Sequence, residues 1–538
     1  VGQNGRHGGG RSDRLARILV IVAGDDRSHS MSHTPQTDTP SASALHSPAI
    51  TARAAWIDSL LRPIKSFRLS YLPVLMVYFA YGALGVIDVT QSFWVKESLT
   101  LTPSELAGLA VWFGLPWTVK MVFGELVDCV PLFGSQRGSY VLVGAAFTSA
   151  GLLTLAGAAG GWLGFMSRNE LFILGAMLIV VGTVIQDVVA DAMSTEVVPR
   201  TDETGAQRPE HDIRAELGMV QVLGRLALSI GVLMVAGLSG WLADMFSRET
   251  VFLLGLFVPA ISITGVFIRR KTPAERRPID WRILGGGIAF GGAVLALGLG
   301  GVPYAQELIF IISMAVVCTM LFLVTRTLAP ETQRAILFTS IIIFAFRATP
   351  SAGDGYTWWT IDVLGFDPAF QGTLRQIAAV IAAVAMWVFS KQITEYPVTK
   401  VLLWITIASS LLTLPSVGLL FGLQDWTEAM FGFGARTIAI VDAATTSPFA
   451  QLSMVPLLTL IAFYAPEGQR ATWFALMASL MNLALTAGAL ETKYLNDIFP
   501  VDRGQYAELK PLFVWAFTIA FVLPLAGIML FGKRIARS

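Results

Sequence analysis

The stretch from Leu171 to Met193 reads LFILGAMLIVVGTVIQDVVADAM, an apolar run interrupted near its end by Asp187 and Asp191. At about 1.5 Å per residue, a helix of this length crosses the roughly 30 Å of a bilayer's hydrocarbon core. A spacing of four puts both acids on one helix face. An acid at mid-bilayer costs roughly 2.5–3.5 kcal/mol, so it is kept only where it faces protein or a water-filled path. Proton coupling is one reading of this pair; structural bonds between helices are the other.

Working outward, 54% of the chain is apolar and only 14% charged, with mean hydropathy +0.64. A soluble domain carries about 25% charged residues, so most of this chain belongs in lipid. The net charge of +1 offers no field to select nucleic acid. His7, His29, His33 and His46 lie in the polar N-terminal tail and His211 in a charged loop, which leaves no histidine relay or metal site inside a span. Cys129 and Cys318 are isolated thiols, neither a metal cluster nor a disulfide framework. Without a nucleophile paired to a base, enzyme chemistry is not expected, and no cofactor is implied.

Residues 1–70 read as a cytoplasmic tail, rich in Ser, Thr, Pro and Gly over its first 52 positions and expected to be disordered. Its apolar run, Ile18 to Ala23, is too short for a signal peptide, and Met31 is a more ordinary start than Val1. Fourteen runs are long enough to span: six within 71–268, a pair within the basic linker 269–334, and six within 335–538. Placing the N-terminus in the cytoplasm puts 22 Lys and Arg inside and seven outside, which satisfies the positive-inside rule and brings both termini to the cytoplasm.

At an offset of 265 residues, Phe93-Trp94 through Leu101 and Pro103 matches Trp358-Trp359 through Phe366 and Pro368. The expected fold is therefore all-α and polytopic: the major facilitator fold, two six-helix halves in parallel repeat plus an inserted helix pair. After the second span, Gly124, Asp128, Gly134 and Arg137 form a stretched version of the facilitator gating loop. Gly124 is expected to allow close helix approach, and Asp128 to pair with a cation or cap a helix end, holding the cytoplasmic side closed until the halves rock.

These and further residues resemble the folate-biopterin transporters of the major facilitator superfamily. The likeness runs through Leu115-Pro116-Trp117 with Lys120, Gly124 to Gly134, Asp187 to Ala192, Ala348-Thr349-Pro350-Ser351 and Phe474 to Asn482. It departs at Gln136-Arg137, where the family has paired arginines, and at Ala465 to Arg470, where it has Cys-Pro-x-Gly and an acid. The second span and the Gln186-Asp187 stretch are also similar to muropeptide and acetyl-CoA permeases. The resemblance implies a secondary transporter of pterin-like compounds, driven by protons, in the plasma (inner) membrane.

Charges and polar groups within spans outline the cavity such a transporter needs. Lys120 lies one turn past Pro116; Gln221 and Arg225 share a stripe of the fifth span; Arg347 and Asp354 bracket Pro350 and Gly353; Asp442 and Arg375 complete the set. An anionic, flat aromatic solute wants cations and stacking faces, which Trp117 and Tyr356 can supply. Trp358 and Trp359 read instead as anchors at the membrane interface. One of Asp187 and Asp191 is expected to hold a proton near neutral pH, with Lys120 or Arg225 competing for the same acid. The expected partners are a small solute, protons and lipid, with the chain a monomer. A muropeptide permease, or a non-transporting assembly factor or receptor on the same fold, are the other readings.

Overall fold

A computed structural model describes residues 67–268, 281–395, 398–463 and 470–535, apart from Phe133, Gly134, Gln136, Glu203 and Thr327. The expected disordered tail up to residue 66, the basic run 269–280, Gly134 of the gating loop and the 465–469 departure lie outside the described residues.

The apolar runs fold as helices. The first passes through α1 (Leu72–Ala83), a 3-10 turn (Leu84–Ile87) and α2 (Asp88–Ser98); the second is α3 (Pro103–Thr118) followed directly by α4 (Lys120–Cys129). Then come α5 (Gly138–Gly160), α6 (Arg168–Glu196), α7 (Glu210–Met245), α8 (Arg248–Leu254) and α9 (Phe257–Ile268). The inserted pair is α10 (Trp281–Leu299) and α11 (Ala305–Thr325). The remainder comprises α12 (Pro330–Arg347), α13 (Asp354–Asp362), α14 (Pro368–Glu395), α15 (Val398–Leu412), α16 (Leu414–Leu420), α17 (Leu423–Phe431), α18 (Ala435–Phe463), α19 (Arg470–Ile498) and α20 (Leu509–Ile535). Among the described residues, nine helical stretches are long and apolar enough to cross a membrane. The other five expected spans fall on α10, on α12 with α13, and on α14, α18 and α19.

Local chemistry sets the boundaries. Thr102 and Glu105 close a capping box at the start of α3, as Ser167 and Glu170 do at α6, each contributing about 1 kcal/mol. Pro103 and Pro368 occupy the first turns of α3 and α14, where no helical N–H is required. The expected continuous span from Ala335 to Trp359 is broken: α12 stops at Arg347, and Gly353, at φ 66°, admits the chain to α13. Pro350 cannot continue a helix, and the freed Ser351 N–H donates to Thr492 Oγ1 at 3.0 Å.

Within the first set of helices, α5 lies along α6 and α1 along α7; within the last, α14 lies along α18 and α12 along α20. The two sets meet where α3 packs on α19 and α7 on α14. Glycine permits the closest of these approaches, as in membrane helices generally. A Cβ on Gly144 would stand 2.7 Å from the Gly182 carbonyl oxygen, and one on Gly372 2.6 Å from the Gly240 Cα. Of the inserted pair, α10 rests on α4 and α11 on α19. There Lys493 Nζ bonds Glu307 Oε1 at 3.0 Å and Gln306 Oε1 at 2.9 Å.

Candidate functional site

Pro116 places the central cation. With no N–H to offer and a ring that crowds the preceding turn, it is followed by a non-helical Val119, at φ −102° and ψ 20°, from which α4 starts afresh with Lys120. The Lys120 ammonium reaches α6, where it pairs with Asp187 Oδ2 and stands 2.7 Å from Asp191 Oδ2. Tyr78 of α1 donates to Asp191 Oδ1 at 2.8 Å. Asp191 keeps 47% of its side chain open against 12% for Asp187, so a solute or water reaches Asp191 first.

Other expected site residues gather here. Gln221 Nε2 donates to Ser194 Oγ at 2.6 Å, which in turn donates to the Asp191 carbonyl. Arg225 has no hydrogen-bond or ion-pair partner among the described residues, yet its charge acts on Asp187, Tyr78 and Tyr81. Trp117 stacks on Tyr81, with ring centroids 5.9 Å apart and planes 22° from parallel. Its carbonyl accepts a bond from Asn482 of α19 at 3.3 Å, which ties the cluster to the last set of helices. Tyr78, Tyr81 and Ser194 escaped the sequence reading. The signal was available in α1, where two phenols three residues apart in an apolar run both need partners.

The remaining expected residues come from the last set of helices. Arg347 Nε donates to the Met481 carbonyl at 3.4 Å. Asp354 and Tyr356 line a separate cavity of 740 Å³, also bounded by Phe449 of α18 and Phe513 of α20. Asp442 lies beside Ser416 and Tyr356, with its Oδ1 buried and without a hydrogen bond. Arg375 does not join them: it pairs with Asp88 of α2 at 2.9 Å, across the junction of the two sets.

At the gating loop, Arg137 is buried and holds Asp128 Oδ1 and Glu196 Oε1, each at 2.7 Å, and the Val127 carbonyl at 3.1 Å. Gly124 has a different role from the one expected. A Cβ there would meet nothing within 4 Å, so no close helix approach depends on it.

A second network closes the other end of α3. Arg503 donates to the carbonyls of Lys96 at 2.6 Å, Leu101 at 2.9 Å and Val95 at 2.9 Å. Asp362 pairs with Lys96 and accepts from Tyr506 at 2.5 Å. Trp358 and Trp359 are 1% and 8% exposed, which corrects the expectation of interfacial anchors. Interface enrichment of tryptophan cannot separate a lipid-facing ring from one that faces a partner helix, and Trp358, which answers to Phe93 in the repeat, packs in one cluster with Trp94.

Residues 82–538 match the model of the BT1 family. The "Folate-biopterin transporter" of Synechocystis sp. is 28% identical over 458 residues, 84% of this chain and 80% of that protein. "Folate transporter 1" of Plasmodium falciparum is 22% identical over 437 residues, 80% of this chain and 74% of that protein. Among solved structures, a POT family transporter in complex with 5-aminolevulinic acid superposes with TM-score 0.60 at 13% identity, covering 87% of this chain and 96% of that one. A peptide transporter POT in complex with sulfate gives 0.59 at 16% identity, covering 88% and 95%. With its apolar helices, transporter fold and match over most of its length, the chain belongs to the BT1 family, an integral membrane transporter of a small solute and not an enzyme.

Proposed function

We propose that the chain is a proton-coupled symporter of folate or a pterin, working by alternating access in the plasma membrane as a monomer with both termini in the cytoplasm. The observation that carries the reading is Lys120 held between Asp187 and Asp191 inside the bundle. Two carboxylates face one bonded cation and the field of unpartnered Arg225, so the cluster is balanced. A proton arriving on Asp191 neutralises one acid and leaves a cation without its counter-ion. An anionic solute supplies the missing charge, which ties solute binding to protonation. The kinship with a folate-biopterin transporter and a folate transporter supports folate and pterins as the solutes.

In this reading Lys120, Trp117, Gln221 and Arg225 bind from the first six-helix half, residues 71–268, and Arg347, Asp354 and Asp442 from the second, residues 335–538. The Arg503 network keeps the outer side shut, while Asp128 and Arg137 gate the cytoplasmic side. Uptake into proteoliposomes of folate, pterins and muropeptides, with and without a pH gradient, tests it. Pteridine accumulation that needs the gradient is expected. Accumulation of muropeptides alone sinks the substrate, and indifference to the gradient sinks the coupling.

A further inference from the structure

The cavity at the break between α12 and α13 contains one charged group that the proton-coupling cluster does not use. Asp354 opens α13, lines the cavity, and has neither a hydrogen bond nor an ion pair among the described residues. Among the described residues, no cation acts on it electrostatically. An unpaired carboxylate so placed is costly unless a ligand satisfies it. The lining it shares is aromatic, with Phe346, Phe449 and Phe513, and the remaining polar side chains are hydroxyls such as Ser410 and Thr446. The volume of 740 Å³ falls within the range of small-molecule sites.

Flat rings, neutral hydroxyls and one carboxylate together select a planar heteroaromatic that presents two adjacent N–H donors. A small hard cation would have no use for the rings, and an anionic group at the edge that meets Asp354 would be repelled. Resting on the reading of the substrate as a pteridine, we infer that Asp354 recognises the 2-amino-4-oxopyrimidine edge, its two oxygens accepting from N3–H and the 2-amino group in a bidentate pair. The rings of Phe346, Phe449 and Phe513 then lie against the pteridine faces. The hydroxyls meet the ring nitrogens and the 4-oxo oxygen.

Pterin and lumazine separate this proposal from its rivals. Lumazine carries a 2-oxo group in place of the 2-amino group, so it would turn an acceptor toward a carboxylate that only accepts. Binding is followed by pteridine fluorescence with the purified full chain in detergent. The wild type should bind pterin at least about tenfold more tightly than lumazine, because a charge-assisted bond is lost. Asp354→Asn presents one acceptor and one donor, which match lumazine's N3–H and 2-oxo groups, and should reverse the preference. Equal binding of pterin and lumazine by the wild type, or a preference that survives Asp354→Asn, overturns the assignment while the pteridine reading stands. The wild-type comparison decides even if the variant fails to fold. If pterin, lumazine and folate all fail to bind the wild type, the substrate reading falls and this inference falls with it.

Discussion

The guanidinium of Arg503 lies over the indole of Trp358, 4.1 Å from its centroid, while its nitrogens donate to three carbonyls at the end of α2 and in the loop that follows. One side chain thus joins the segment before α20, the broken ninth span and the first helices. Arg503→Ala removes all three bonds and the stacking contact. A charge-assisted bond contributes about 1.5–3 kcal/mol, so even one net loss should favour the outward-open state by roughly tenfold or more. Thiol labelling at Leu101→Cys, a position only 8% exposed while the latch is shut, in a background with Cys129 and Cys318 replaced, should speed up accordingly. An unchanged rate would mean that Arg503 is not a latch.

Trp358→Leu should have a similar but smaller effect, and the pair Arg503→Ala/Trp358→Leu should fall short of the sum, because the two share one contact. The same labelling assay reads the coupling.

The charge cluster predicts compensation. Lys120→Met leaves two carboxylates facing each other with no bonded cation, one of them half open, and should lower the yield of folded protein on size-exclusion chromatography. Adding Asp187→Asn should restore much of the yield, though not gradient-driven uptake. Recovery with Asp354→Asn instead would show that the effect is not local. Asp191→Asn alone keeps an acceptor for Tyr78, so it should fold yet lose accumulation against a gradient.

Acid should act on the outer end only at low pH. Burial pushes the Asp362 carboxyl up, but bonds from Lys96 and Tyr506 outweigh it and hold it below its ordinary 3.8. Asp367 is held low in the same way, by the Phe370 N–H and Arg436. A depressed carboxylate stabilises above its ordinary value and loses that contribution as pH falls through the folded one. The labelling rate of the same reporter cysteine with Arg503 and Trp358 intact, divided by its thiolate fraction at each pH, should therefore be flat from pH 8 to pH 5. A steep change in that interval would place a titrating group in the latch.

Much of this was legible in the sequence because helices in lipid must be long and apolar, and a charge within one is conspicuous. Asp187, Asp191 and Lys120 stood out for that reason. Their pairing did not, since a distance of many positions along the chain carries no information about which helices touch. Tyr78 and Tyr81 were hidden because a phenol in an apolar run reads as core until its hydroxyl partner is known. Trp358 misled for the complementary reason, and Gly124 because a glycine reveals only the absence of a side chain, not whether anything occupies the space.

Gly240 and Gly372 meet with bare backbone where α7 crosses α14, so Gly372→Val should cost about 1–3 kcal/mol by overpacking. Gly218→Ala, with nothing within 4 Å, should be neutral or slightly stabilising in a thermal melt. At the crossing point itself there is no knob to lift out of a hole when one helix turns against the other, whereas one turn away the Gln376 side chain accepts from the Gly237 N–H at 2.9 Å. The crossing works as a pivot pinned on one side: the distance between the helices is fixed by backbone, and the angle is held by that bond.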